Sequence, residues 1–383
     1  MDFTQLLKVM VEREASDLFV TAGCQPSIKV DGTLKPLTKD PLTARQARAL
    51  TYSTMNDAQQ SEFESTHECN YAISAPGIGR FRVSAFFQRS TPGMVLRRIK
   101  NEIPAMDELG LPPILKDLAM TKRGLILFVG GTSTGKSTSL ASMIDYRNEN
   151  SRGHIICIED PIEYIHDHKR CVITQREVGI DTPSFEIALK NTLRQAPDVI
   201  LMGEIRSKDT MGYGLQFAET GHLCLATLHA NNANQALDRI ISFFPPEHHD
   251  QMWMDMSLNL KAIIAQQLLP TADGRGRVAA IEVLLNTPLC ADLIRKGEVH
   301  EIKELMKKST NVGMQTFDQA LFKLFEEGRI TYEDALAHAD SANDLRLMIK
   351  LSAESNPKLQ EQIKASEDGE MFFLQEDEDY LNF

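Results

Sequence analysis

The chain has 383 residues, 42% of them hydrophobic and 25% charged, with a net charge of −12 and an isoelectric point near 5.4. That length suggests two or three domains with a sizeable core, and the acidic balance argues against attraction to a phosphate backbone, so nucleic acid is not an expected partner. No run approaches the roughly 18 apolar residues a membrane span requires, and the start, Met1 to Gln5, lacks the basic and apolar regions of a leader; the reading is a cytosolic chain whose membrane contact is peripheral.

Residues 2 to 13 carry Phe3, Leu6, Leu7, Val9 and Met10 at helical spacing, and Ser16 to Val20 reads as a strand. Ile28 to Gly32 and the residues after it look like a hairpin, and two polar helical stretches near 43 to 64 follow. Asn70 to Ser74, Arg80 to Phe86 and Met94 to Ile99 are three further strands, which together make a small α+β domain over residues 1–99. In the second of these strands Arg80 and Arg82 share a face opposite Phe81 and Val83, and Arg97 lies on the third. Arginines on a strand are commonly a solvated face, but guanidinium groups also stabilise charge on a transferring phosphoryl group.

Pro104, Gly110, Pro112 and Pro113 mark a linker over 100–113. Beyond it strands and helices alternate: Leu125 to Val129, His154 to Ile158, Asp198 to Met202 and Leu223 to Leu228 are short apolar runs, with helical segments near 184 to 194 and 206 to 219. Continuous apolar strands imply a parallel sheet covered on both faces, so residues 114–285 read as an α/β core. From 286 to 352 the pattern is helical, a separate subdomain. The tail over 353–383 holds seven acids and no base from residue 366 onward and reads as disordered. The six cysteines (Cys24, Cys69, Cys157, Cys171, Cys224, Cys290) show no zinc-site spacing, and buried free thiols are expected.

The first core strand runs into Gly130, Gly131, Thr132, Ser133, Thr134, Gly135, Lys136, Ser137 and Thr138, and a helical pattern follows Lys136. A strand, a loop of the form G-x-x-x-x-G-K-[ST] and a helix together make a phosphate cradle: loop N–H groups converge on oligophosphate, Lys136 reaches the β and γ phosphates, and the Ser137 hydroxyl suits Mg²⁺. Ser133 stands where a positive φ is needed, at a cost on the order of 1 kcal/mol, so binding should be weakened but not lost.

The strand 154 to 158 ends in Glu159, Asp160 and Glu163, three carboxylates at the ligand edge of an open α/β sheet. One could orient or deprotonate an attacking water and others could hold Mg²⁺ through water; an acidic turn capped by proline is the plainer alternative. The strand 198 to 202 ends in Glu204, in the form of a Walker B element. His222 and His229 bracket the next strand at an odd spacing, so they cannot share one metal. His222 reads as a core or hydrogen-bonding residue, and His229 as a possible γ-phosphate sensor.

Four stretches in order, Gly130 to Thr138, the "Asp box" Ile158 to Tyr164, the Walker B Asp198 to Glu204 and the "His box" Thr220 to His229, resemble the secretion-superfamily ATPases. Within them the chain is similar to the type IV pilus retraction ATPases of the PilT/PilU branch from residue 1 to about 350. Phe81 to Phe86, Thr192 to Pro197, Leu228 to Asn232 and Ser341 to Ile349 place it on the PilU side. The resemblance implies a PAS-like N-terminal domain, a RecA-like P-loop NTPase core, ATP and Mg²⁺ as ligands, and a homohexameric ring. By it Glu163 is the general base, Glu204 the Walker B acid, and Arg80, Arg82 and Arg97 face nucleotide. Ser137, Glu159, Asp160 and Glu204 are the metal set. It further implies pilus retraction beside a PilT-like ATPase at an inner-membrane platform protein. Ser133 replaces the family's usual glycine, and Leu289 to Lys296 departs from the Ala-Ile-Arg-Asn-Leu-Ile-Arg-Glu signature, which points away from independent retraction. The rival readings are an extension ATPase, which would carry a larger N-terminal region and a tetracysteine module; a nucleic-acid translocase, which the acidic balance opposes; and a nucleotide-binding regulator with little turnover.

Overall fold

The computed structural model describes residues 2–30, 32–99 and 102–353, together with 356 and 363. The acidic stretch 366–383 lies outside the described residues. Two compact units result: the first comprises residues 1–103, 160–167 and 175–184, and the second residues 104–159, 168–174 and 185–383. The core expected as one continuous segment over 114–285 is thus interrupted, because residues 160–167 and 175–184 pack with the N-terminal unit.

The first unit opens with α1 (Phe3–Glu12), β1 (Asp17–Val20), β2 (Ser27–Val30) and β3 (Thr33–Pro36), and continues through α2 (Ala44–Tyr52) and α3 (Asp57–Thr66) to β4 (Glu68–Ala75), β5 (Gly79–Gln88) and β6 (Thr91–Ile99). The strands form one six-stranded antiparallel sheet in the order β3-β2-β1-β6-β5-β4. Strand period sets its two faces. Phe81, Val83 and Ala85 of β5 are buried against Leu6, Leu7, Met10 and Phe63, while Arg80 and Arg82 point to the other side. Capping boxes at Thr43–Gln46 and Asn56–Gln59 fix where α2 and α3 begin.

The second unit contains α4 (Ile114–Ala119), β7 (Gly124–Val129), α5 (Lys136–Asn150), β8 (Gly153–Glu159), β9 (Cys171–Glu177), α6 (Phe185–Thr192), β10 (Val199–Met202), α7 (Lys208–Glu219) and β11 (Leu223–Leu228). It goes on through α8 (Ala233–Ile241), α9 (His249–Asn259), β12 (Leu260–Pro270) and β13 (Arg277–Leu285) to five helices, α10 (Pro288–Lys296), α11 (Val299–Lys308), α12 (Phe317–Glu326), α13 (Tyr332–Ala337) and α14 (Ala342–Ala353). The last three residues of β9, Gln175 to Glu177, belong to the first unit. The sheet order is β13-β12-β7-β11-β10-β8-β9, with β12, β7, β11, β10 and β8 parallel and β13 antiparallel. Every residue of β7 is buried, as expected for a strand covered on both faces. Met106 and Leu111, read as linker, are buried in this unit's core, so that segment packs rather than tethers. Five cysteines are buried and Cys24 is exposed, which corrects the expectation of six buried thiols; its neighbours Gly23 and Gln25 lie on the turn before β2, outside the apolar pattern.

The charged residue that needs a reason inside this unit is Glu282 on β13, 3% exposed. Its Oε1 accepts the N–H of Ala233, the first residue of α8, at 2.7 Å, and the Phe317 N–H and the charge of Lys303 also favour the carboxylate. An anion at a helix N-terminus is stabilised by the open N–H groups there. Burial outweighs these donors and pushes the carboxyl up to about 7 from an ordinary 4.5. A carboxyl raised in the folded state adds stability that is complete below the unfolded value and lost as the pH rises through the folded one. Glu282→Gln should therefore gain on the natural protein by up to ~3 kcal/mol between pH 5 and pH 8, read from urea midpoints at both pH values. A difference that does not change with pH would refute this account of Glu282.

Candidate nucleotide site

Register brings four strand ends to one line. Val129 of β7 pairs with Leu228 of β11, Ala226 of β11 with Met202 of β10, and Met202 with Ile158 of β8. The residues that follow are Gly130, His229, Gly203–Glu204 and Glu159, so one sheet edge carries the loop, the histidine and two acids. This is the carboxyl edge, where open α/β sheets bind ligands.

The loop is shaped by close approach. A Cβ on Gly130 would lie 2.6 Å from the Gln266 carbonyl oxygen and 2.7 Å from Thr134 Oγ1, and one on Gly135 would lie 2.8 Å from Gln266 Nε2. Gly135 also has a φ of +87°, which only glycine adopts cheaply. Ser133 sits at a φ of +63°, the left-handed conformation anticipated from its place in the motif. Helix α5 starts at Lys136 with no side-chain cap, so its first-turn N–H groups point into the loop. Lys136 is buried, and its Nζ donates to the Gly130 and Gly131 carbonyl oxygens at 2.8 and 2.6 Å. Thr132, Ser133 and Thr134 form the rest of the loop, and Ser137 and Thr138 the first turn of α5, half-buried. A cradle of backbone donors with one cation fits an oligophosphate.

Gln266 is a site residue that motif reading misses. It is 2% exposed on β12, its Oε1 accepts the Ser139 hydroxyl at 2.8 Å, and its main chain and amide pack on both loop glycines. Its only sequence signal is a polar pair, Gln266 and Gln267, in an apolar run.

Glu204 is half-buried; it accepts from Arg206 Nε at 2.7 Å and lies 3.3 Å from His229 Nε2. Gly203 lets β10 turn beside β8: a Cβ there would lie 3.2 Å from the Glu159 Cα, and its N–H donates to the Ile158 carbonyl at 2.8 Å. His222 sits at the opposite end of β11, its Nδ1 3.0 Å from Thr220 Oγ1 and 3.3 Å from the Phe217 carbonyl, in keeping with the hydrogen-bonding role. Among the described residues no three His, Cys, Asp or Glu side chains converge on a metal-sized point, so Glu159, Asp160 and Glu204 do not form a protein cage. Magnesium normally keeps several waters and takes few carboxylates, so the lack of such a cage does not bear against it.

The other expected residues belong to the first unit. Asp160 and Glu163 are exposed on the segment after β8, and the Asp160–Pro161 bond is cis. Arg82 pairs directly with Arg97 across β5 and β6, so the three arginines share a face. Asp17 of β1, itself paired with Arg97, accepts from Arg97 Nε at 2.9 Å. Among the described residues the buried Nε of Arg80 has no hydrogen-bond partner. The charges of Arg82 and Arg80 act on Glu177, which is 2% exposed. Burial raises the Glu177 carboxyl, and the Ile162 N–H and the two arginines pull it back down only in part.

Comparison with known proteins agrees with these features. Residues 2–337 match the family model described as type II/IV secretion system protein. The chain is 70% identical over 93% of each chain to the type IV pilus ATPase PilU of Pseudomonas aeruginosa. It is 41% identical, over 88% of this chain and 97% of the other, to that organism's type IV pilus retraction ATPase PilT. The crystal structure of the pilus retraction motor PilT with bound ADP superposes with a TM-score of 0.85 at 40% identity, covering 90% of this chain and 99% of that one. No helix among the described residues is long and apolar enough to cross a membrane. The seven-stranded sheet is thus that of a RecA-like core, the first unit is PAS-like, and the chain belongs to the type II/IV secretion system protein family, in its PilT/PilU branch of pilus ATPases.

Proposed function

We propose that this chain is an ATP-hydrolysing motor of type IV pilus retraction, acting as a homohexameric ring beside a PilT-like ATPase at an inner-membrane platform protein, on the cytoplasmic side and without spanning the membrane. The observation that carries the reading is the single carboxyl edge on which the loop 130–138, His229, Glu204 and Glu159 end together. A sheet edge with one phosphate cradle and acids on neighbouring strands suits hydrolysis of a nucleoside triphosphate.

In this reading the loop N–H groups and Lys136 hold the β and γ phosphates, and Lys136 exchanges the loop carbonyls for phosphate oxygens. Ser137, with Glu159, Asp160 and Glu204, would hold Mg²⁺, which would neutralise phosphate charge. Water attacks the γ phosphorus, its proton passes to the Glu163 carboxylate, and the bond to the ADP oxygen breaks, giving ADP and phosphate. His229, linked to Glu204, senses whether the γ-phosphate is present. Arg80, Arg82 and Arg97 supply further positive charge to the transferring group.

Binding and chemistry then separate. Lys136→Ala should abolish nucleotide affinity, while Glu163→Gln keeps it and lowers turnover by roughly 10² or more. Titration with a fluorescent ATP analogue beside steady-state hydrolysis reads both, and equal loss of binding in the two variants contradicts the assignment. Ser133→Gly relieves a left-handed serine costing on the order of 1 kcal/mol and should tighten nucleotide binding about fivefold; an unchanged affinity means the strain does not reach the nucleotide.

At least one of Arg80, Arg82 and Arg97 is read as acting on a neighbouring subunit's nucleotide, so hydrolysis depends on assembly. Mixing Lys136→Ala with Arg82→Ala protein should restore hydrolysis in mixed rings. If demonstrably mixed rings stay inactive at every ratio, with Arg80 and Arg97 variants behaving likewise, the action in trans is wrong.

A further inference from the structure

Two side chains at the end of β9 hold the segment that carries Glu163. Gln175 and Glu177 are two residues apart on a strand and so share a face. A Glu177 carboxylate oxygen accepts the Ile162 N–H at 3.3 Å. Gln175 donates from Nε2 to the Tyr164 carbonyl at 2.8 Å, and its Oε1 accepts the His166 N–H at 2.9 Å. Three backbone groups on alternate residues, 162, 164 and 166, are therefore held by side chains as a neighbouring strand would hold them. Glu163 lies between the first two, exposed at its tip and fixed at its root.

Glu177 also carries a buried charge that the arginines feel. Arg82 and Arg80 of the same unit attract its carboxylate, with no hydrogen bond or close ion pair to either among the described residues. Its own position is locked locally: its N–H donates to Asp181 Oδ2 at 2.9 Å, and its carbonyl accepts the Asp181 N–H at 2.8 Å. The β5 arginines would otherwise repel one another and Arg97, which stands directly across from Arg82. One buried anion thus accepts the N–H beside Glu163 and attracts the arginine face.

We propose that Glu177 is a positioning residue for hydrolysis, its carboxylate holding the Glu163 segment through the Ile162 N–H and setting one buried negative charge near the Arg82 and Arg80 guanidinium groups. Gln175 shares the first half of that task. The inference rests on the reading that Glu163 and the arginines act on the nucleotide. It adds that they are set together, so disturbing Glu177 disturbs both.

The test compares Glu177→Gln, Glu177→Ala, Arg82→Ala and the double variant Glu177→Gln/Arg82→Ala in the full-length protein. The readouts are melting temperature, affinity for a fluorescent ATP analogue, KM and kcat. Glutamine keeps an oxygen for the Ile162 N–H but loses the charge that attracts the arginines. Glu177→Gln should melt no lower than the natural protein and bind the analogue within about threefold, while kcat falls roughly tenfold to a hundredfold, as misplacement of reacting groups does. Glu177→Ala should lose more kcat than Glu177→Gln, and the double variant should be no slower than Arg82→Ala alone. A natural kcat in Glu177→Gln, multiplying losses in the double variant, or a matching loss of melting temperature and affinity each overturns the proposal. A low kcat in Arg82→Ala with a natural one in Glu177→Gln defeats this inference alone; a natural kcat in Arg82→Ala defeats the functional reading of the arginines with it.

Discussion

The parallel register of β7, β11, β10 and β8 is the constraint on which the rest depends. Those strands are in step to the residue, so the loop after Val129, His229 after Leu228, Glu204 after Met202 and Glu159 after Ile158 meet one edge. A slip of one residue in any strand would exchange the side chains of its two covered faces, which the close packing around β7 and β11 opposes. The hydrophobic effect thereby fixes polar geometry. The loop is wedged further by β12, where Gln266 leaves room for glycine alone at 130 and 135.

Charge is handled by pairing each important carboxylate with its own donors. Glu204 has Arg206 and His229, Asp17 has Arg97, Glu282 has the N-terminus of α8, and Glu177 has the Ile162 N–H. Removing one member of a buried pair costs far more than the pair contributes, because the remaining charge stays desolvated. Such groups are therefore restricted to one arrangement, a useful property where a phosphoryl group needs fixed charges around it.

What sequence could show, and what it could not, follows from the range of each signal. The cradle 130–138, the acids after β8 and β10, and the arginine face of β5 were legible because each depends on spacing within a few residues: a glycine-lysine loop, a strand end, a period of two. The hairpin of β12 and β13 carried no such mark. Leu260 follows α9 directly, and the run Ala262 to Leu269 mixes alanine, glutamine and leucine with isoleucine, a composition as suited to helix as to strand. Gln266, Glu282, Gln175 and Glu177 were illegible for a related reason. Each matters through a partner between 9 and 127 residues away, such as Ser139 for Gln266 or Ile162 for Glu177, and only register sets those meetings. The grouping of residues 160–167 and 175–184 with the N-terminal unit is likewise a matter of packing, since the chain there runs on unbroken from core strands.

The central claim is that this chain draws pili in rather than building them, and it does so by hydrolysis at the edge described. A chromosomal deletion complemented with natural or Glu163→Gln protein tests it, with pili counted by electron microscopy and spreading measured on the same cells. The account predicts abundant immobile pili on deleted cells, and rescue by the natural chain but not by Glu163→Gln. Cells that lose their pili on deletion would contradict it and assign the motor to extension.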